Sequence, residues 1–225
     1  MKSVLSTRSL NNAQLALLAN SGIGVESYDA IGVTILDVDI PEGYTQYIFT
    51  SKNGVKGYLK NKLSGVENQK KITCYCVGEK TQAFLEEKGL FVAKMTEYSR
   101  ELGDFLVEND KNGPFLVFTG NRNRPELGRN LTEHKIHFQE VMVYETQLHP
   151  KKFEKDFQIL LFYSPSGVQS FVQANDQKDA TALCIGETTA REARKHFQKV
   201  IVAKKPTTDN VIETLIEHFP KLSNA

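Results

Sequence analysis

Two turns in this sequence set hydroxyl residues and a glycine where an apolar segment gives way to a polar one. The first is Phe49-Thr50-Ser51-Lys52-Asn53-Gly54-Val55 and the second is Phe162-Tyr163-Ser164-Pro165-Ser166-Gly167-Val168. Each reads as a buried strand that runs through a small polar turn into a helix. Such a helix start leaves backbone N–H groups without carbonyl partners, and the positive end of the helix dipole lies behind them. It binds carboxylates or phosphates without needing a basic side chain. Ser51, Ser164 and Ser166 can cap the helix or touch a ligand, while Gly54 and Gly167 allow close backbone approach. Lys52 and Val55 complete the candidate set. Ordinary turn chemistry explains either turn alone; two equivalent ones put a binding role on an equal footing with it.

The next strand in each half ends in a similar way, at Gly78-Glu79-Lys80-Thr81 and at Gly186-Glu187-Thr188-Thr189. Gly78, Lys80, Thr81, Thr188 and Thr189 are candidate contacts by the same argument, and the glutamates can simply complement the helix dipole. The most basic turn is Thr119-Gly120-Asn121-Arg122-Asn123-Arg124-Pro125. Gly120, Asn121, Arg122 and Arg124 are candidates there, and Arg8 holds a comparable place after the first strand. Arginine at a strand end suits a two-pronged grip on a carboxylate; a solvated loop arginine is the plain alternative.

Other chemistries lack their signatures. There is neither a G-x4-G-K-[ST] loop nor a G-x-G-x-x-G string, so nucleotide fingerprints are missing. No G-x-S-x-G or Cys/His pattern supports covalent hydrolysis. Cys74 and Cys76 share a strand face without a second pair and read as core, and His134 and His137 lack a third ligand in pattern. No metal site is expected.

The turns recur because the chain repeats itself. Phe49–Val55 returns at Phe162–Val168 with an offset of 113 residues, and Cys76-Val77-Gly78-Glu79 returns at Cys184-Ile185-Gly186-Glu187 with an offset of 108. Leu18-x4-Ile23-x-Val25 is echoed by Leu131-x4-Ile136-x-Phe138, again 113 on. A period near half of 225 residues implies two similar lobes rather than a solenoid. Two lobes make a cleft, and clefts between domains are favoured ligand sites.

Short apolar segments must position these turns. Val4-Leu5, Tyr47–Phe49, Ile72–Val77, Leu90–Ala93, Pro114–Phe118, Ile159–Tyr163, Ala182–Ile185 and Val200–Ala203 read as buried strands. Helical patterns lie between them: Leu10–Asn20 ends before Gly22, Glu79–Lys88 before Gly89, and Thr207–Phe219 at Pro220. Such alternation implies an α/β protein with parallel sheets flanked by helices. Two longer extended runs, Val33–Ile40 and Phe138–Thr146, alternate in part with period two, as expected of strands exposed on one side. They read as the two passages of the chain between lobes.

Totals narrow the class. The chain is 40% hydrophobic and 24% charged with a net charge of +1, an ordinary globular balance without the basic excess of a nucleic-acid binder. No run approaches the ~20 apolar residues of a membrane span, and the start has no long apolar region typical of an export signal. Three cysteines without framework spacing suit a reducing compartment, so a cytoplasmic location is expected.

The ordered strings Phe49-Thr50-Ser51-x2-Gly54-Val55, Cys76-Val77-Gly78, Val143-Tyr144-Glu145-Thr146, Phe162–Val168 and Ile185-Gly186-Glu187-Thr188-Thr189-Ala190 together resemble the uroporphyrinogen-III synthases. Lys205-Pro206-Thr207 before the last helix matches as well. One departure is Ser9 after Arg8, where many relatives carry proline. The resemblance implies two α/β lobes, 1–35 with 147–225 and 40–140, joined by an antiparallel ladder over 33–40 and 140–147. It implies a cofactor-free, metal-free, monomeric enzyme that closes hydroxymethylbilane, a linear tetrapyrrole polycarboxylate, while inverting ring D through a spiro-pyrrolenine. Neither nucleic acid nor membrane is an expected partner. Tyr144 then matches the family tyrosine proposed to assist hydroxyl loss; a ladder aromatic packed against a lobe is the alternative. A bilobal cytoplasmic anion-binding module, or a relative without the activity, would carry the same turns.

Overall fold

The computed structural model describes residues 3–62, 72–109, 113–123 and 125–223, with side chains to 219. The chain divides into two compact units, Met1–Gly32 with Gln147–Ala225, and Val33–Thr146. The first unit opens with β1 (Val4–Ser6), α1 (Asn12–Asn20) and β2 (Val25–Ser27). β3 (Ile31–Ile35) leads into the second, which holds β4 (Gln46–Phe49), α2 (Lys52–Asn61), β5 (Thr73–Val77), α3 (Glu79–Glu87), β6 (Phe91–Thr96), α4 (Ser99–Asn109), β7 (Phe115–Gly120), α5 (Glu126–Glu133) and β8 (Phe138–Leu148). The chain then completes the first unit with β9 (Ile159–Phe162), α6 (Pro165–Ala174), β10 (Thr181–Cys184), α7 (Glu187–Ala193), β11 (Lys199–Val202) and α8 (Thr208–Ser223).

The two sheets share one order. The second unit reads β3-β8-β7-β4-β5-β6, and the first reads β2-β1-β9-β10-β11. With β3 set aside, β8-β7-β4-β5-β6 corresponds strand for strand to β2-β1-β9-β10-β11. The pairs within these five-stranded sets run parallel. In chain order the second unit is continuous, whereas the first is circularly permuted: β9 to α8 comes last in sequence and β1 to β2 comes first. The faint Leu18/Leu131 echo is therefore the match of α1–β2 with α5–β8. β3 runs antiparallel to β8, because Leu36 N–H donates to the Val143 carbonyl and His149 N–H to the Ala30 carbonyl.

Each sheet is buried on both faces, which is why its central strands are near-continuous apolar runs. In the second unit Tyr47, Phe49, Cys74, Cys76 and Phe118 pack with Val55, Tyr58 and Leu85 of α2 and α3. The alternate residues Ile48, Tyr75, Phe115 and Val117 pack with Leu102, Leu106, Leu127 and Leu131 of α4 and α5. The first unit does the same, with Leu160 and Phe162 under α6 and α7, and Ile159 and Leu161 under α1 and α8. A fully buried aromatic or aliphatic side chain contributes about 1.5–3 kcal/mol, so these faces dominate the stability.

Three sequence expectations need correction. The run expected as a strand over 33–40 is β3 at Ile31–Ile35 only. Past it, Asn61 of α2 donates to the Leu36 and Gly57 carbonyls and accepts from Val38 N–H, so a side chain replaces the ladder. α8 does not stop at Pro220 but reaches Ser223; a proline removes one backbone bond without always ending a terminal turn. β2 was not anticipated, since Val25–Ser27 is too short to show a period.

Candidate functional site

In the second unit β4 is the point where the strand order reverses. From it the chain goes outward to β5 and β6, then α4 carries it back to β7 on the other side. The turns after β4 and β7 therefore diverge at the carboxyl ends of neighbouring strands, where open α/β sheets bind their ligands. Ser51 follows β4, Gly120 ends β7 and Asn121 follows it, and Tyr144 comes in from β8. The wall beneath is aromatic: Phe49 and Phe118 stack at 4.7 Å with their planes 9° apart.

Ser51 is the N-cap of α2, with its Oγ accepting from Gly54 N–H at 3.2 Å. Its own proton goes to the Tyr144 hydroxyl oxygen, also 3.2 Å away. In that bond Ser51 is the donor, so it does not use the phenol proton of Tyr144. The ring lies against Gly120, where an added Cβ would overlap it. Tyr144 pairs with Gly120 across a register shift between Thr119 and Gly120. Asn121 then bonds Thr146 twice, accepting from its N–H at 2.9 Å and donating to its carbonyl at 3.2 Å.

Around this group the expected contacts sort themselves. The N–H groups of Lys52 and Asn53, in the first turn of α2, lie beyond the reach of the helix's own carbonyls. The Lys52 ammonium stands over the Phe84 ring at 5.0 Å from its centroid. Gly54 and Val55 are buried, and their N–H groups are used by Ser51. A Cβ on Gly54 would stand 3.0 Å from the Phe118 carbonyl, so that glycine serves helix–strand packing rather than ligand approach. Gly78 has φ +86°, a conformation that favours glycine. Lys80 is exposed in the first turn of α3. Thr81 is buried at 4% exposure and its N–H bonds the Gly78 carbonyl, so it faces the core. Arg122 is exposed in the β7–α5 turn, and Arg124 lies outside the described residues.

The first unit builds an equivalent corner at β9 and β1. Ser164 caps α6 through Gly167 N–H at 3.0 Å, with φ/ψ of −161°/157° against −161°/158° at Ser51. The repeat thus reproduces the cap closely. The phenol differs. Tyr163 shares a 3.2 Å hydrogen bond with Ser6 Oγ, whose own proton goes to the Arg8 carbonyl at 2.6 Å. The Tyr163 proton is consumed inward, and burial pushes its pKa up to about 12. Arg8 is exposed beside it and Ser166 half-buried, while Gly167 is buried with its N–H on Ser164. At the next turn Gly186 is extended at φ −178°, unlike Gly78. Thr188 is half-buried, whereas Thr189 is buried with its N–H on the Gly186 carbonyl. Thr81 and Thr189 thus lie on the inner faces of their helices.

Other groups stay structural. The thiols of Cys74, Cys76 and Cys184 are free and buried, and burial pushes each up to about 12. Among the described residues no cluster of three or more His, Cys, Asp or Glu could hold a metal, and no helix is long and apolar enough to cross a membrane. What sequence reading missed is the pairing of Asn121 with Thr146, because nothing local marks a side chain that bonds a strand 25 residues away.

Fold and site together define a two-unit α/β protein that presents helix starts at its strand-order reversals, with the Tyr144 phenol bonded to one of the caps. Residues 18–213 match the family model described as uroporphyrinogen-III synthase HemD, and the chain belongs to that family. It is 27% identical over 191 residues to the porphyrin biosynthesis protein HemD of Ruminiclostridium josui, an alignment that covers 77% of this chain. The chain spans 38% of the length of that curated relative. Among solved structures it is similar to uroporphyrinogen-III synthetase from Helicobacter pylori 26695, with a TM-score of 0.68 and 21% identity over 96% of this chain and 99% of that one. A mutant uroporphyrinogen III synthase from the extremely thermophilic bacterium Thermus thermophilus gives the same TM-score at 16% identity, over 100% and 99% of the two chains. At these identities the structures speak for the fold.

Proposed function

We propose that this protein is a uroporphyrinogen-III synthase, converting hydroxymethylbilane into uroporphyrinogen III and one water in tetrapyrrole (haem) biosynthesis. The observation that carries the reading is the Tyr144 hydroxyl, hydrogen-bonded to the Ser51 cap at a strand-order reversal, in a chain of this family. Tyr144 donates that proton to the terminal hydroxyl of the bilane, which leaves as water, and the chain becomes an electrophilic azafulvene. Ring D attacks through its substituted carbon to give the spiro-pyrrolenine. The spiro centre fragments, ring D recloses in the inverted sense through its unsubstituted α-carbon, and the proton released from that α-carbon balances the one Tyr144 gave. The reaction as written calls for no cofactor.

The substrate's carboxylates suit the helix starts after β4 and β9, where free N–H groups and the helix dipole favour anions. Lys52, Arg8 and Arg122 are exposed cations after β4, β1 and β7 respectively. Substrate folding against these donors contributes more to the outcome than one proton donor, because orientation decides which carbon of ring D attacks. We also read the protein as a cytoplasmic monomer. Its free thiols suit a reducing compartment, and light scattering at working concentration checks the oligomeric state.

The deciding assay supplies hydroxymethylbilane and separates the product isomers. Isomer III is expected in excess over isomer I, which forms spontaneously. Isomer I alone would sink the reading, and calorimetric binding of a small anion without turnover would favour a binding module instead.

A further inference from the structure

We propose that Asn121 is a positioning residue for the Tyr144 phenol, its side-chain amide continuing the β7–β8 pairing and so setting where the hydroxyl stands. For its kinetic consequences the proposal rests on the synthase reading above; its geometric content does not.

β7 pairs with β8 in regular steps from Phe115 with Phe138 to Thr119 with Met142. The next pair is Gly120 with Tyr144, so one residue of β8 is passed over. An extra residue of this kind bends a strand and raises its local twist. Immediately beyond, β7 ends in a turn, with Asn123 N–H donating to the Gly120 carbonyl at 3.0 Å. The β7 main chain is thus curled on itself when β8 reaches Thr146.

Asn121 takes its place. A planar amide carries one donor side and one acceptor side, as a peptide group does. Oδ1 accepts from Thr146 N–H at 2.9 Å while Nδ2 donates to the Thr146 carbonyl at 3.2 Å. Two bonds to a single residue fix its orientation as well as its distance. Thr146 is buried at 8% exposure, so without Asn121 both of its backbone groups would lose a partner at a desolvated position.

Tyr144 and Thr146 are two residues apart and face the same side of β8. Tyr144 is therefore held from both directions along the strand, by the pair at Gly120 and by the clamp at Thr146. Its ring rests where Gly120 has no Cβ, and its hydroxyl meets Ser51. Asn121 was expected from the sequence to touch substrate. Its amide is instead committed to the strand that carries the phenol.

The test uses the full chain with hydroxymethylbilane. In Asn121→Ala, kcat is expected to fall by up to ~100-fold, the cost of a reacting group displaced by about 1 Å. KM should stay within about twofold, because ground-state binding is untouched. Asn121→Ala with Tyr144→Phe should be no slower than Tyr144→Phe alone, since a displaced phenol and an absent one contribute equally little. Gly120→Ala drives a methyl into the ring with the clamp intact and should give the same pattern. If Asn121 instead gripped a substrate carboxylate, KM would rise and the two losses would multiply; that result overturns the proposal. Should Asn121→Ala fail to fold, Asn121→Asp carries the same comparison, since it keeps the acceptor for Thr146 N–H but sets an oxygen against the Thr146 carbonyl. A second measurement does not depend on turnover. The Tyr144 ring signals, assigned in NMR spectra by their loss in Tyr144→Phe, should shift in Asn121→Ala. Unmoved signals reject the clamp even if the wild type makes isomer III. Wild-type protein that makes only isomer I rejects the synthase reading and leaves this measurement to decide the clamp.

Discussion

At the scale of the residue, the two phenols show how identical chemistry is given different availability. Tyr144 accepts from the serine that caps α2, so its own proton is not used in that bond. Tyr163 meets a serine whose proton is taken by a backbone carbonyl, so its own proton turns inward. Tyr144→Phe is expected to lower turnover by roughly 100-fold, the lower range for a positioned proton donor, with the unfolding curve unchanged. Unaltered kinetics would retire Tyr144 as a catalytic group. Ser51→Ala removes both a cap and the donor to the phenol. It should cost ~1 kcal/mol in urea unfolding and reduce turnover less than Tyr144→Phe does. The caps at Ser51 and Ser164 were readable because capping depends on residues three apart. The inward turn of Thr81 and Thr189 was not, because a helix start offers outward and inward positions with the same residue types.

At the scale of the element, close approach is governed by two small residues. Gly57 of α2 faces β8, and a Cβ there would overlap the Val143 side chain, next to Tyr144. Gly57→Ala should force α2 off the sheet and destabilise the protein by about 1–3 kcal/mol, read from the urea midpoint. Turnover should fall with it, since Ser51 stands at the start of the same helix. Gly120 has the matching role under the Tyr144 ring. The central strands were legible from their apolar runs, and the helix ends at Gly22 and Gly89 from the glycines, both of which have positive φ. β3 was misjudged in length because its end is set by Asn61, a side chain of α2 25 residues after Leu36. Local patterns carry no information about such partners.

At the scale of the whole molecule, titration and topology are the collective properties. The thiols of Cys74, Cys76 and Cys184 are raised from an ordinary 9.0 to about 12, and the phenols of Tyr28, Tyr58 and Tyr163 from 10.0 to about 12, with burial the leading cause in each. These groups are neutral when protonated, so the folded state holds their protons more tightly than the unfolded chain. Their contribution to stability is fully present below about pH 9 and is lost as pH rises towards 12. Thermal midpoints should accordingly be flat from pH 7 to about 8.5 as far as these groups contribute, then fall steeply above pH 9. A rise in stability over that alkaline range would show that these side chains are not buried as described.

The sequence by itself determined that this chain is an α/β protein built twice, where the central strands of its sheets lie, and which turns carry free amides. Those features follow from apolar periodicity, capping residues and glycines, all of which act over a few positions. Only the tertiary structure decided that one copy is circularly permuted and that Tyr144 and Ser51, 93 residues apart, share a hydrogen bond. It alone paired the Asn121 amide with Thr146. The reason is physical: strand order and register bring distant residues to one strand end, and a polar side chain takes its role from whichever partner it finds there.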